Sequence, residues 1–232
     1  MRKLTLLTVF PILMLVIWSC TKLECPPQTP TSSSITNDSI HDTITTTLQG
    51  IQLIHSEVHS IAPTTNYSNN SRMAVWTITN NNITDTARSF LKFDYSSIPT
   101  GATIISATLT LYADSSQVEV GQPGYTVISG PNNWLIETVT APWQAGTITW
   151  DNAPITDTTL LRPIHIPAST SPFQTYTIDL TSLVKYEISN PATNYGVVMR
   201  LATESKWRGL AFYSPNMQTG SLQTNLTIKY EK

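Results

Sequence analysis

Two stretches carry the clearest pattern in the chain. In Arg88-Ser89-Phe90-Leu91-Lys92-Phe93-Asp94 and in residues 104–112, apolar residues alternate with polar or small ones at a period of two. That spacing belongs to half-buried β-strands. Turn formers lie between them, Ser96-Ser97 and then Ile98-Pro99-Thr100-Gly101. On the first strand Ser89, Leu91 and Phe93 share one face, while Arg88, Phe90, Lys92 and Asp94 share the other. One face suits a core, and the other presents two cations and an aromatic ring.

The same reading predicts further strands over 46–60, 72–79, 124–129, 147–150, 176–178, 196–202, 210–214 and 222–230, separated by turn residues such as Asn80-Asn81-Asn82. One helix is expected over 180–189. Asp179 caps it, Leu180, Val184 and Ile188 form its apolar stripe, and Asn190-Pro191 ends it. About ten short strands without alternating long helices predict an all-β fold, a sandwich of two antiparallel sheets with one short helix.

The segments "APTTNYSNNSRMAV" and "ARSFLKFDYSSIPTGATIISATLTLYAD", followed in order by "WLIETVTAPWQAGTITWDNAPI", "YTIDLTSLVKYEISNPATNYGVVMRL", "LAFYS" and "LTIKY", resemble the DNRLRE (disaggregatase-related) domain. The resemblance spans roughly residues 50 to 230 and is most specific from Ser89 to Tyr112 and at "TITWDNAP". It implies a jelly-roll β-sandwich of the carbohydrate-binding kind, found on bacterial and archaeal surfaces. Its ligand would be an acidic or neutral polysaccharide, alginate being one type reported in the family.

Composition narrows the functional classes. Of 232 residues only 12% are charged, well below the usual share of about 25%, and Thr, Ser and Asn replace them. Net charge is −2, so the chain lacks the basic face a nucleic-acid binder needs. Any attraction to an anionic ligand must come from a local patch.

Residues 1–19 read as an export signal, with basic Arg2 and Lys3 before an apolar run and Ile17-Trp18-Ser19 before Cys20. This resembles a bacterial lipobox, which implies cleavage before Cys20 and its lipidation. The anchor would hold the protein to the cell envelope, on the outer membrane and facing outward. The remaining cysteine, Cys25, then has no partner for an internal disulfide. Residues 20–47, rich in Pro, Thr and Ser, read as a tether, and the folded domain is expected over 48–232.

Candidate chemistry is sparse. Asp94, Asp114, Glu119, Glu137, Asp151, Asp157, Asp179 and Glu204 are the acids from which a glycosidase pair would have to come. Most sit at strand ends or turns, where capping explains them. His41, His55, His59 and His165 form no metal signature, since His55 and His59 would stand about 13 Å apart on a strand. Sandwich modules of this kind often carry a structural calcium, but no EF-hand-type run marks its ligands here.

The remaining constellation is cationic. Arg72, Arg88, Lys92 and Arg200 fall on one parity of their strands and would share a sheet face, where guanidinium forks suit carboxylates and sugar hydroxyls. Trp76, or Trp207 in Lys206-Trp207-Arg208, would stack on a pyranose ring. Trp134, Trp143 and Trp150 are expected to fill the core or brace a turn. The sequence therefore reads as a surface lipoprotein without enzymatic activity that binds polysaccharide through this face. The alternatives are a structural or adhesion subunit of a surface assembly and, less favoured, a polysaccharide-degrading enzyme.

Overall fold

In the computed structural model, residues 42–114, 125–159, 161–217 and 222–232 are described. The signal, both cysteines, Glu119, His41 and nearly all of the tether lie outside them.

The alternating segments pair into two antiparallel sheets. The smaller has the order β1-β13-β5-β10, formed by β1 (Thr43–Leu48), β13 (Asn225–Glu231), β5 (Thr103–Tyr112) and β10 (Thr175–Asp179). The larger comprises β2 (Leu53–His59), β3 (Arg72–Asn80), β4 (Ile83–Phe93), β6 (Tyr125–Val127), β7 (Trp134–Val139), β8 (Thr156–Asp157), β9 (Ile164–Ile166), β11 (Val197–Leu201) and β12 (Arg208–Tyr213). Its order is β6-β12-β3-β4-β11-β7-β8, with β2 also on β4 and β9 also on β7. The result is a jelly-roll-like all-β sandwich with one α-helix among the described residues.

Inward-facing residues of both sheets make the main core. Leu48, Leu109, Leu111, Ile178 and Ile228 come from the smaller sheet, and Met73, Leu91, Ile136, Val197, Met199 and Leu210 from the larger. At its centre the fully buried rings of Trp134 and Phe212 lie 5.3 Å apart. Tyr176 of the opposite sheet meets them edge-on at 5.4 and 5.6 Å. Such aromatic contacts add about 0.5–1.5 kcal/mol each beyond the area they bury.

Four expectations need correction. The single strand expected over 46–60 is two strands in different sheets. A 3-10 turn at Gly50–Gln52, with Gly50 at φ +58°, carries the chain from one sheet to the other. The sandwich also begins before residue 48, because β1 pairs with β13 from Thr43↔Glu231 to Leu48↔Leu226. Residues 147–150 form a turn, in which Asn152 accepts from the Thr149 amide at 2.7 Å and donates to the Thr147 carbonyl at 3.0 Å. Finally, β7 and β9 escape a period-two search. All six residues of β7 are buried, so it has no polar side to alternate.

The helix α1 (Thr181–Ser189) buries Leu183 and Val184 beside Leu180 and ends at Asn190. Asp179 accepts from the Thr181 amide at 2.8 Å, so it serves the helix start from one residue before the cap position.

A buried polar network ties the segment after β2 to the sheet. His59 bonds Asp85 at 2.8 Å and Glu57 at 3.0 Å. Trp76 donates its indole N–H to Asp85, and Asn70 donates to Glu57. The Tyr67 ring lies 4.4 Å from the imidazole.

Candidate functional site

On β4 the side chains of Ser89, Leu91 and Phe93 turn away from those of Arg88, Phe90 and Lys92, as the alternation predicts. Leu91 and Phe93 belong to the main core, whereas Phe90 belongs to a separate cluster with Val58, Val139, Trp143, Ile148 and Val198. The larger sheet therefore carries a second apolar layer on its outer face. Register explains who meets there: Val58 lies opposite Arg88, and Val198 lies between Phe90 and Glu137. Close pairing of β11 with β4 needs Gly196. Its φ is +73°, and a Cβ there would come within 2.2 Å of the Leu91 carbonyl oxygen.

The segment from Trp143 to Thr156 lies over this face. The Trp143 ring meets Phe90 at 5.6 Å, and its N–H donates to the Tyr195 carbonyl at 2.7 Å. Asn66 fastens the segment by donating to the carbonyls of Ala145 and Ile148, at 2.6 and 2.7 Å. Between this segment and the sheet remains a groove of about 330 Å³, lined by Val58, Arg88, Phe90, Glu137, Trp150, Ile155, Thr156, Val198 and Arg200, among others. Ile155 on its rim is 79% exposed.

Both arginines in the groove are held by carboxylates. Arg88 donates through Nε and Nη2 to Glu204 at 2.7 and 2.9 Å, and its guanidinium lies 4.9 Å from the centre of the Trp150 ring. Arg200 donates to Glu137 at 2.9 and 2.6 Å and to the Leu201 carbonyl at 3.0 Å. Thr156 adds its hydroxyl to Glu137 at 2.9 Å. Burial alone would push the Glu137 carboxyl up, but the bonds from Arg200 and Thr156 outweigh it and hold it below the ordinary carboxylate value. A carboxyl so held is a poor proton donor near neutrality, which argues against a general-acid role.

The four cations do not form one patch. Arg88 and Arg200 meet in the groove, and Lys92 sits nearby with its ammonium 5.8 Å from the Trp143 ring centre. Arg72 lies instead over Trp76, at 5.0 Å. Trp76 is 2% exposed and belongs to a cluster with Ala74, Ala87 and Ala211, so its ring cannot serve as a sugar platform. Trp207 and Arg208 stand at the β12–β6 edge, outside the groove lining. The Trp207 carbonyl accepts from Thr126 at 3.2 Å, Trp207 itself has φ +63°, and Arg208 donates to the Ser129 carbonyl at 3.1 Å.

Three groove residues carried no binding signal in the sequence. Trp150 reads there as core or a turn brace, Glu137 as one of the acids from which a glycosidase pair would have to come, and nothing in the local pattern singles out Ile155. Among the described residues, no group of three or more His, Cys, Asp or Glu side chains is gathered to hold a metal ion.

Comparison with known proteins gives one family. The model for carbohydrate-binding module family 96 matches residues 55–230, most of the chain and all of the groove. No curated protein matches.

Proposed function

The chain belongs to carbohydrate-binding module family 96, and from that premise we propose that it binds polysaccharide without cleaving it, at the groove between β4, β11 and the Trp143–Thr156 segment. The observation that carries this reading is the half-buried Trp150 indole, one side of which meets the Arg88 guanidinium beside exposed Ile155. Pyranose rings present apolar C–H faces that stack on indole and aliphatic side chains, while their hydroxyls need both donors and acceptors. The Arg88 guanidinium supplies donors in the groove, and the Thr156 oxygen and the Glu204 carboxylate that holds Arg88 supply acceptors.

The segment preceding the domain completes the proposal. Cys20, following a basic and apolar leader, is the lipidated residue, and the Pro- and Thr-rich stretch after it spaces the sandwich from the bacterial outer surface. The resemblance to disaggregatase-related domains belongs to this same reading of a surface glycan binder. Expressed in a bacterial host, the full chain is expected in the membrane fraction and a Cys20→Ala variant in the soluble one. Equal partition of the two would remove the anchor.

The groove is tested by titrating the detergent-solubilised chain with neutral and acidic glycans by calorimetry, with and without calcium. Trp150→Ala is expected to weaken binding by roughly tenfold, about 1.4 kcal/mol. Arg72→Ala, outside the groove, is expected to leave it unchanged. Undiminished binding by the Trp150 variant would place the glycan elsewhere.

A further inference from the structure

A face bearing arginines invites an acidic ligand, yet these arginines are already answered. Arg88 and Arg200 bring two positive charges to the groove, and Glu204 and Glu137 bring two negative ones through paired bonds of 2.6 to 2.9 Å. The four act as one electrostatic unit: Arg88 helps lower the Glu137 carboxyl, and Glu204 helps raise Arg200. Resting on the groove being the glycan site, we infer that it selects uncharged sugar units and rejects uronates.

The reason lies in what each ligand would have to displace. All three guanidinium nitrogens of Arg200 are engaged, two by Glu137 and one by the Leu201 carbonyl. A uronate carboxylate that took this fork would strand Glu137, whose side chain is 1% exposed, as a buried carboxylate without its counter-ion. Approaching without displacing it, the uronate would set two acceptor-only groups against each other. Arg88 is the more approachable cation, and its Nη1 has no partner among the described residues. Its other two nitrogens each donate to Glu204.

A sugar hydroxyl faces neither obstacle. It donates to a Glu204 lone pair that Arg88 leaves open or to the Thr156 oxygen, whose own proton is held by Glu137, and it accepts from Nη1 of Arg88. Neither ion pair breaks. The apolar face of the ring meets Trp150 and Ile155. An uncharged ligand displaces few counter-ions even with Lys92 beside the groove, so its affinity depends little on salt.

The experiment compares laminarin and hydroxyethylcellulose, both neutral, with alginate and polygalacturonate, both uronates, on the detergent-solubilised full chain at low and high salt. The wild type is expected to bind a neutral glucan with affinity changed less than about twofold by salt, and both uronates at least roughly tenfold more weakly. Glu204→Gln removes one negative charge and frees Arg88. This variant is expected to gain roughly tenfold in alginate affinity at low salt, and to lose that gain at high salt. Wild-type binding to alginate as tight as to the glucans overturns the inference, as does a Glu204→Gln variant with no gain. Trp150→Ala separates this failure from that of the groove itself. If it binds every glycan as the wild type does, the site lies elsewhere whatever the charge preference.

Discussion

Arg200→Ala is expected to destabilise the domain by about 3–5 kcal/mol, which for a chain of this size lowers Tm by roughly 10 °C. The arginine side chain is partly exposed, but its partner is not: Glu137 is 1% exposed and keeps only the Thr156 hydroxyl once the guanidinium is gone. The loss therefore comes from a stranded buried charge and exceeds anything a surface ion pair would give. Its pH dependence carries a sign. In the wild type the Glu137 carboxyl sits below its ordinary value, so its contribution is present above the unfolded-state pKa and fades as pH falls through the folded one. In the variant, burial is opposed only by the Thr156 hydroxyl and the more distant Arg88, and the carboxyl rises. Protonation then relieves the variant while it harms the wild type, and the stability gap narrows toward acid pH. Replacing both partners together, Glu137→Leu with Arg200→Met, is expected to restore most of the loss. Chemical denaturation of the three proteins at neutral and mildly acidic pH decides it. A loss under about 1 kcal/mol for Arg200→Ala would show that water reaches Glu137 and that the pair is not buried in the energetic sense.

The second large effect comes from His59. Burial alone would push this imidazole down, yet its bonds to Asp85 and Glu57 more than reverse that and raise it to about 9 from 6.5. A raised folded value stabilises the fold fully below about 6.5 and ceases to do so as pH climbs through about 9. The interval corresponds to about 3 kcal/mol. The wild-type Tm is thus expected to fall steeply between pH 7 and 10 (roughly the interval of this titration), followed by circular dichroism. His59→Gln is expected to melt lower at pH 7, because Glu57 and Asp85 lose their cation, and to show a flatter profile over the same range. Parallel profiles would assign the alkaline transition to another group. Tyr67, whose hydroxyl is pushed up by burial and by the two carboxylates, titrates above this window and does not confuse the reading.

How much of this was legible in the sequence differs by feature. The strands Ser89–Phe93 and Thr103–Tyr112 stood out because polar or small residues alternate with apolar ones along both, although Phe90 on the outer side of the first is itself buried. In contrast β7 stayed hidden, since a strand covered on both faces by the core and by the Trp143–Thr156 segment has no reason to alternate. The 46–60 run was visible as extended chain, but its break at Gly50 was not. A sheet-to-sheet crossing leaves the period intact while changing the partner. The parity of Arg88, Lys92 and Arg200 was readable from alternation, and they do stand on the outer side of the larger sheet. Their chemical state was not readable. Arg88 meets an acid 116 residues away and Arg200 one 63 residues away, and nothing local announces either pairing.

The sequence by itself determined the low charge, which is composition alone, and the all-β class, the short helix before Asn190 and the parity of the cations, because each of these is written in neighbouring residues. Only the tertiary structure decided that Trp76 is core while Trp150 lines a groove, and that the arginines arrive already neutralised. Those outcomes depend on which distant strands lie side by side and which loop covers them, a choice made by burial of the whole apolar surface rather than by any one segment.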